Sequence, residues 1–135
     1  MVAVVANGRI ICRGSPPAYE YELCRCDDQT ADGSYPYLEC WNKGLSDRTM
    51  SQYLNAFLKQ PNVTGLKHLQ LGHNKLTRVP DEIKMFVELE YVDLRYNSIH
   101  TIHSGAFYFT SILKWLYLQY NQLSNIEQVG AFQGA

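Results

Sequence analysis

Leu66-Lys-His-Leu69-Gln-Leu71-Gly-His-Asn74-Lys-Leu76 returns as Leu89-Glu-Tyr-Val92-Asp-Leu94-Arg-Tyr-Asn97-Ser-Ile99, and again as Leu113-Lys-Trp-Leu116-Tyr-Leu118-Gln-Tyr-Asn121-Gln-Leu123. The copies start 23 and then 24 residues apart and read L-x-x-L-x-L-x-x-N-x-L, with valine or isoleucine standing at some leucine positions. Leu69 and Leu71, Val92 and Leu94, and Leu116 and Leu118 alternate with polar or aromatic residues, the period of a strand with one buried face. A single copy cannot bury that face, so neighbouring copies must stack into one continuous core. Asn74, Asn97 and Asn121 fall where the chain must turn away from each strand. An amide there satisfies backbone groups the turn leaves unpaired, so the asparagines read as a structural ladder rather than as ligands.

The segments that follow also match. Leu76-Thr-Arg-Val79-Pro80 corresponds to Ile99-His-Thr-Ile102 and to Leu123-Ser-Asn-Ile126, which closes the core from the other side. Ser104-Gly-Ala-Phe107 and Val129-Gly-Ala-Phe132 place a phenylalanine at one phase, 25 residues apart. Pro80-Asp81-Glu82 has the proline and acidic residues of a helical-turn start. Pattern and period together resemble the leucine-rich repeat family over roughly Leu66 to the C-terminus. The resemblance implies an α/β solenoid, here a horseshoe fragment with a concave parallel β-sheet and phenylalanines entering the core from the convex side.

All four cysteines precede the repeats, in the arrangement Cys12-x₁₁-Cys24-x-Cys26-x₁₃-Cys40. Four cysteines allow three pairings, and the spacing lacks the short knuckles of a zinc site. The segment resembles the cysteine-rich N-terminal cap of extracellular leucine-rich repeat proteins, which covers the apolar end of the first repeat. That resemblance implies a disulfide-bonded cap with the pairs Cys12–Cys26 and Cys24–Cys40, and disulfides imply an oxidising compartment. Asn62-Val-Thr64 is a glycosylation sequon with Asn62 as acceptor. Together they point to a chain that is secreted or held on the extracellular face of the cell surface. Gly44-Leu45-Ser46-Asp47 and the Gly-Ala-Phe segments are similar to arthropod secreted leucine-rich repeat proteins, loosely including the non-catalytic subunit of shrimp luciferase and its crustacean relatives.

Between the cysteines and the repeats, Met50, Tyr53, Leu54, Phe57 and Leu58 recur on one helical stripe. Ser46 or Asp47 supplies the N-cap and Pro61 the stop. The organisation that follows is 1–11 as a tail or signal-peptide remnant, 12–45 as the cap, and 46–65 as an irregular first repeat with an amphipathic helix. Residues 66–135 hold three repeats and the start of a further one. The next strand is due near the point where the sequence stops and no C-terminal cysteine cap follows, so the chain reads as a fragment or short isoform. Otherwise its uncapped end predicts self-association.

At 135 residues and a net charge of −1, the chain is one domain and gives no electrostatic case for nucleic acid. No apolar run approaches the roughly 18 residues of a membrane span. For catalysis the chain offers little. No nucleophile sits beside a histidine at a matching repeat position, there is no phosphate loop, and His100-Thr-Ile-His103 is a weak metal motif. No enzyme activity, cofactor or metal is expected.

The informative letters lie between the leucines. Across the three copies they form the columns His68, Tyr91, Trp115; Gln70, Asp93, Tyr117; Gly72, Arg95, Gln119; and His73, Tyr96, Tyr120. Tyr, Trp and Arg anchor protein interfaces, which marks a binding patch centred on Tyr91, Arg95, Tyr96, Trp115, Tyr117 and Tyr120. Two blander readings are cross-strand pairs that stabilise the sheet by roughly 0.2–1 kcal/mol each, and aromatics that cover an edge. Lys67, Glu90 and Lys114 form a separate column of alternating charge. The expected function is recognition of an extracellular protein ligand or partner subunit through the aromatic face. The alternatives are a non-catalytic accessory subunit that stabilises a secreted enzyme, and a matrix or adhesion protein.

Overall fold

A computed structural model of the chain describes residues 4–6, 9–11, 24–26, 37–59, 65–103, 105–107 and 112–126. Strands β1 (Val4–Ala6) and β2 (Arg9–Ile11) form an antiparallel pair. The main sheet has five strands in the order β3 (Arg25–Cys26), β4 (Tyr37–Glu39), β5 (His68–Gln70), β6 (Tyr91–Asp93) and β8 (Trp115–Tyr117). β3 pairs antiparallel to β4, and every later neighbour is parallel. On the return side β7 (Thr101–Ile102) pairs in parallel with β9 (Asn125–Ile126). A parallel sheet closed by a return segment after every strand fits a solenoid-type fold.

The parallel strands of the main sheet are each three residues long, yet their hydrogen-bond ladder continues past their ends. The amides of Cys40, Leu71 and Leu94 donate to the carbonyls of Gln70, Asp93 and Tyr117 at 2.7–2.8 Å. Beneath the sheet, Leu66, Leu69, Leu71, Leu76, Leu89, Val92, Leu94 and Ile99 are fully buried. Their counterparts Leu113, Leu116, Leu118 and Leu123 are only partly buried. Phe86 and Phe107 complete the core from the return side.

The asparagine ladder ties each repeat to the one before it. Asn97 Nδ2 donates to the carbonyls of Leu94 and, one repeat back, Leu71, both at 3.1 Å, and its Oδ1 accepts from Leu76 N at 3.1 Å. Asn121 repeats this with Leu118, Leu94 and Ile99. Asn74 Nδ2 donates to Leu71 and Cys40, while its Oδ1 accepts from Lys43 N and Leu45 N.

Those last bonds reveal a fourth copy. Residues Tyr37–Leu45 lie in register with His68–Leu76, starting from Tyr37 opposite His68 and Leu38 opposite Leu69. The sequence reading places this stretch in the 12–45 segment, but its strand belongs to the same parallel sheet. Cys40 holds the position of the second core leucine, fully buried, and is joined to Cys24 by a disulfide. The other expected pair includes Cys12, which lies outside the described residues, as do Asn62, Pro61 and Phe132.

The helix α1 (Asp47–Leu58) returns the chain from this first copy. Ser46 is its N-cap in a reciprocal capping box: Ser46 Oγ accepts from Thr49 N at 3.3 Å, and Thr49 Oγ1 accepts from Ser46 N at 2.8 Å. Such boxes satisfy two of the orphan amides of a helix start. Met50, Tyr53, Leu54 and Phe57 face the core, with Leu58 partly buried beside them. The Pro80-Asp81-Glu82 start becomes a 3-10 helix, Asp81–Met85. Ser51 and Asn55 of α1 donate to Glu82 Oε2 at 2.5 and 3.1 Å, which holds the two return segments together.

Candidate functional site

Twelve columnar residues were expected on one face, and the fourth copy adds Tyr37, Glu39, Trp41 and Asn42 to the four columns. The face therefore reads Tyr37–His68–Tyr91–Trp115 and Glu39–Gln70–Asp93–Tyr117 within the strands. Trp41–Gly72–Arg95–Gln119 and Asn42–His73–Tyr96–Tyr120 follow just past the strand ends. Sequence reasoning missed Trp41 because its copy lacks the asparagine that announces the others. Lys43 stands in register with Asn74 there.

The last column carries an unusual backbone. Asn42, His73, Tyr96 and Tyr120 have φ of 55°, 54°, 59° and 61°. Left-handed backbone suits glycine and asparagine and is disfavoured for bulky side chains. Each of the first three is pinned by its amide, since Asn42 N, His73 N and Tyr96 N donate to Gly72 O, Arg95 O and Gln119 O at 2.9, 2.9 and 3.2 Å. The rings so placed stack as a ladder: His73 on Tyr96 at 4.1 Å and Tyr96 on Tyr120 at 4.4 Å, with interplanar angles of 17° and 8°. Trp41 meets the end of this ladder at His73, 4.8 Å away. Tyr96 is 40% exposed and Tyr120 68%.

A second row runs across the strands of the sheet. Tyr37 lies 6.5 Å from His68, His68 stacks on Tyr91 at 5.3 Å, and Tyr91 meets Tyr117 at 5.3 Å. Tyr37 Oη also donates to Gln70 Oε1 at 3.1 Å. Trp115, at the edge strand, is half exposed. Burial, then the neighbouring Asp93, pushes the Tyr91 phenol above its ordinary value.

Between the two rows sits an ion pair. Asp93 is 1% exposed, on the open face of the sheet. Its carboxylate accepts from Arg95 Nε at 3.0 and 3.1 Å, from Nη2 at 2.6 Å, and from the Arg95 backbone amide at 3.0 Å. The hydrogen bond to Asp93 raises the Arg95 pKa further, so the guanidinium stays charged. Its central carbon lies 5.7 Å from the Trp41 ring and 5.2 Å from the Tyr117 ring. Gly72 makes this possible, because a Cβ there would run into the Trp41 indole.

The charge column stands apart from these rows. Lys67 and Lys114 reach Glu90 at 3.6 and 3.2 Å. The hydrogen bond from Lys114 chiefly lowers the Glu90 pKa. Among the described residues no group of three metal-ligating side chains comes together, and no helix is long and apolar enough to cross a membrane.

The segment 87–134 matches the family described as Leucine rich repeat. A leucine-rich repeat is therefore present in the chain, in agreement with the parallel sheet. Such domains are typically non-catalytic and commonly mediate protein–protein interaction.

Proposed function

We propose that the chain is a secreted or cell-surface recognition module that binds a protein partner on the aromatic face of its sheet, the concave side of a horseshoe. The observation that carries this reading is the left-handed ladder. Asparagine, as at Asn42, meets the backbone demand of that column without strain. Three of the four positions hold His73, Tyr96 and Tyr120 instead. Each bulky residue in that conformation costs roughly 1–2 kcal/mol; ring stacking offsets part of this by about 0.5–1.5 kcal/mol per pair, while burial adds little at Tyr120, which stays 68% exposed. Outliers of this kind concentrate at functional sites. Exposed tyrosines with few rotors are also the side chains that give interfaces contact area at low entropic cost.

The Cys24–Cys40 bond supports an oxidising compartment, and the Asn62 sequon agrees with it. The test uses the full chain, expressed through a secretory pathway and immobilised. A random twelve-residue peptide library is panned against it. Enriched peptides should lose at least tenfold in affinity when Tyr96→Asn and Tyr120→Asn are combined, while Lys84→Ala binds as the parent. Peptides that bind the ladder variant unchanged would defeat the reading.

A further inference from the structure

Building on the protein-recognition reading above, we propose that His68 and His73 make this face acid-sensitive, so that a partner bound at neutral pH is released in a mildly acidic medium.

Both rows of rings carry a histidine, and both histidines come from the second copy. His68 stacks on Tyr91 at 5.3 Å and 18°, and His73 stacks on Tyr96 at 4.1 Å and 17°. From the other side Tyr37 meets His68 at 6.5 Å and Trp41 meets His73 at 4.8 Å. In the third copy the same two columns hold Tyr91 and Tyr96. Tyrosine stacks as well as histidine does. What imidazole adds is a charge that changes between about pH 5 and 8. Both histidines are exposed, at the centre of the surface a partner would cover.

The charges around them come from every neighbouring copy. Arg95, whose backbone carbonyl accepts from His73 N at 2.9 Å, is paired with the buried Asp93 at 2.6 Å. Glu39 stands in the column beside His68, with Arg25 opposite it across β3 and β4. Lys67 reaches Glu88 and Glu90 at 3.5 and 3.6 Å, and Lys43 and Lys75 stand at the turn beyond His73. The remaining titratable neighbours are the phenols of Tyr37, Tyr91, Tyr96, Tyr117 and Tyr120. Of these groups, only imidazoles belong to a class that changes charge in mild acid.

Protonation leaves the ring contacts in place, because a cation is attracted to an aromatic face. The cost arises when a polypeptide closes over the rows. Water must then leave both imidazoles, and taking a charge out of water is expensive unless a counter-charge meets it. A partner chosen at neutral pH meets neutral rings and gains nothing by bringing a carboxylate to them. It therefore binds the neutral form. Each ring that must first shed its proton weakens binding by up to about tenfold per pH unit below its titration.

Peptides enriched on the immobilised full chain at pH 7.4 test this. They should bind at least about tenfold more weakly at pH 5.5, with circular dichroism showing the same fold at both values, and calorimetry in buffers of different ionisation heat should show protons released on binding. His68→Gln/His73→Asn should change less than twofold between the two pH values, whatever its affinity at pH 7.4; asparagine suits the left-handed backbone at position 73. His100→Gln/His103→Gln, on the return side, should keep the parent's pH dependence. Should the face variant bind too weakly to measure, each single variant must release fewer protons than the parent, and an unchanged number overturns the switch. Equal or tighter binding at pH 5.5, or a pH dependence that persists in the face variant, also overturns it. The recognition face then still stands if Tyr96→Asn/Tyr120→Asn removes binding. Failure to enrich any peptide overturns both readings.

Discussion

At the residue scale the αL column sets two energies against each other. A bulky side chain on left-handed backbone costs roughly 1–2 kcal/mol that asparagine avoids, and a stacked aromatic pair is worth about 0.5–1.5 kcal/mol. Tyr96→Asn and Tyr120→Asn should therefore leave chemical-denaturation midpoints nearly where they are, within about 1 kcal/mol, because strain relief offsets lost stacking. Tyr96→Val loses the stack and adds β-branching in the same backbone, and should destabilise by about 2 kcal/mol or more. Equal losses for asparagine and valine would show that the rings act mainly through packing. Gly72→Ala tests the neighbouring column, since the new methyl must displace Trp41. It should shift tryptophan fluorescence and cost about 1–3 kcal/mol, as overpacking does.

At the element scale the asparagine ladder is the strongest local determinant. Asn97 is 8% exposed and satisfies backbone groups of two repeats at once, so Asn97→Ala strands several buried partners at about 1–3 kcal/mol each. Asn121 makes the same bonds but is only half-buried. Asn121→Ala should cost clearly less by equilibrium unfolding. The charge column gives a pH signature. Glu90 is held below its ordinary 4.5 by Lys114 and Lys67. Its stabilising contribution is thus present above the unfolded value and fades as pH falls through the lower folded one. Tyr91 runs the other way, raised above 10.0. Its contribution is complete below the unfolded value and is lost as pH rises through the folded one. Denaturation curves of Glu90→Gln should approach the parent only as pH falls well below 4.5, and those of Tyr91→Phe should stay flatter as pH rises above 10.0.

At the scale of the whole molecule, the Cys24–Cys40 bond ties the segment at β3 to the buried end of β4. The bond spans a sequence separation of 16, and a loop of that size restricts the unfolded chain by about 3 kcal/mol. Cys40 is also fully buried in a core position. Reduction should accordingly lower the thermal midpoint of the entire sheet rather than release β3 alone. Loss of the β3–β4 pairing with an unchanged melting of the repeats would contradict a single cooperative core.

Much of this was legible beforehand because it depends on spacing. Alternating leucines fix which side chains point inward, and a recurrent asparagine fixes where each strand turns. The columns of the open face therefore follow from the sequence without knowledge of any long-range contact. Ser46 as a helix cap and the Met50-to-Phe57 stripe are local in the same sense. Tyr37–Leu45 was not legible, since Cys40 replaces a leucine and the asparagine that serves it, Asn74, belongs to the next copy. Nor could spacing show that Trp41 crosses Gly72 to cover Arg95, that Asp93 is buried beneath that guanidinium, or that Tyr96 and Tyr120 stand on left-handed backbone. Those facts arise only when parallel register brings separate copies within a strand spacing of about 4.8 Å. The sequence by itself determined the scaffold and the identity of the displayed residues; the tertiary structure decided which of them touch, and so made a row of letters into a surface.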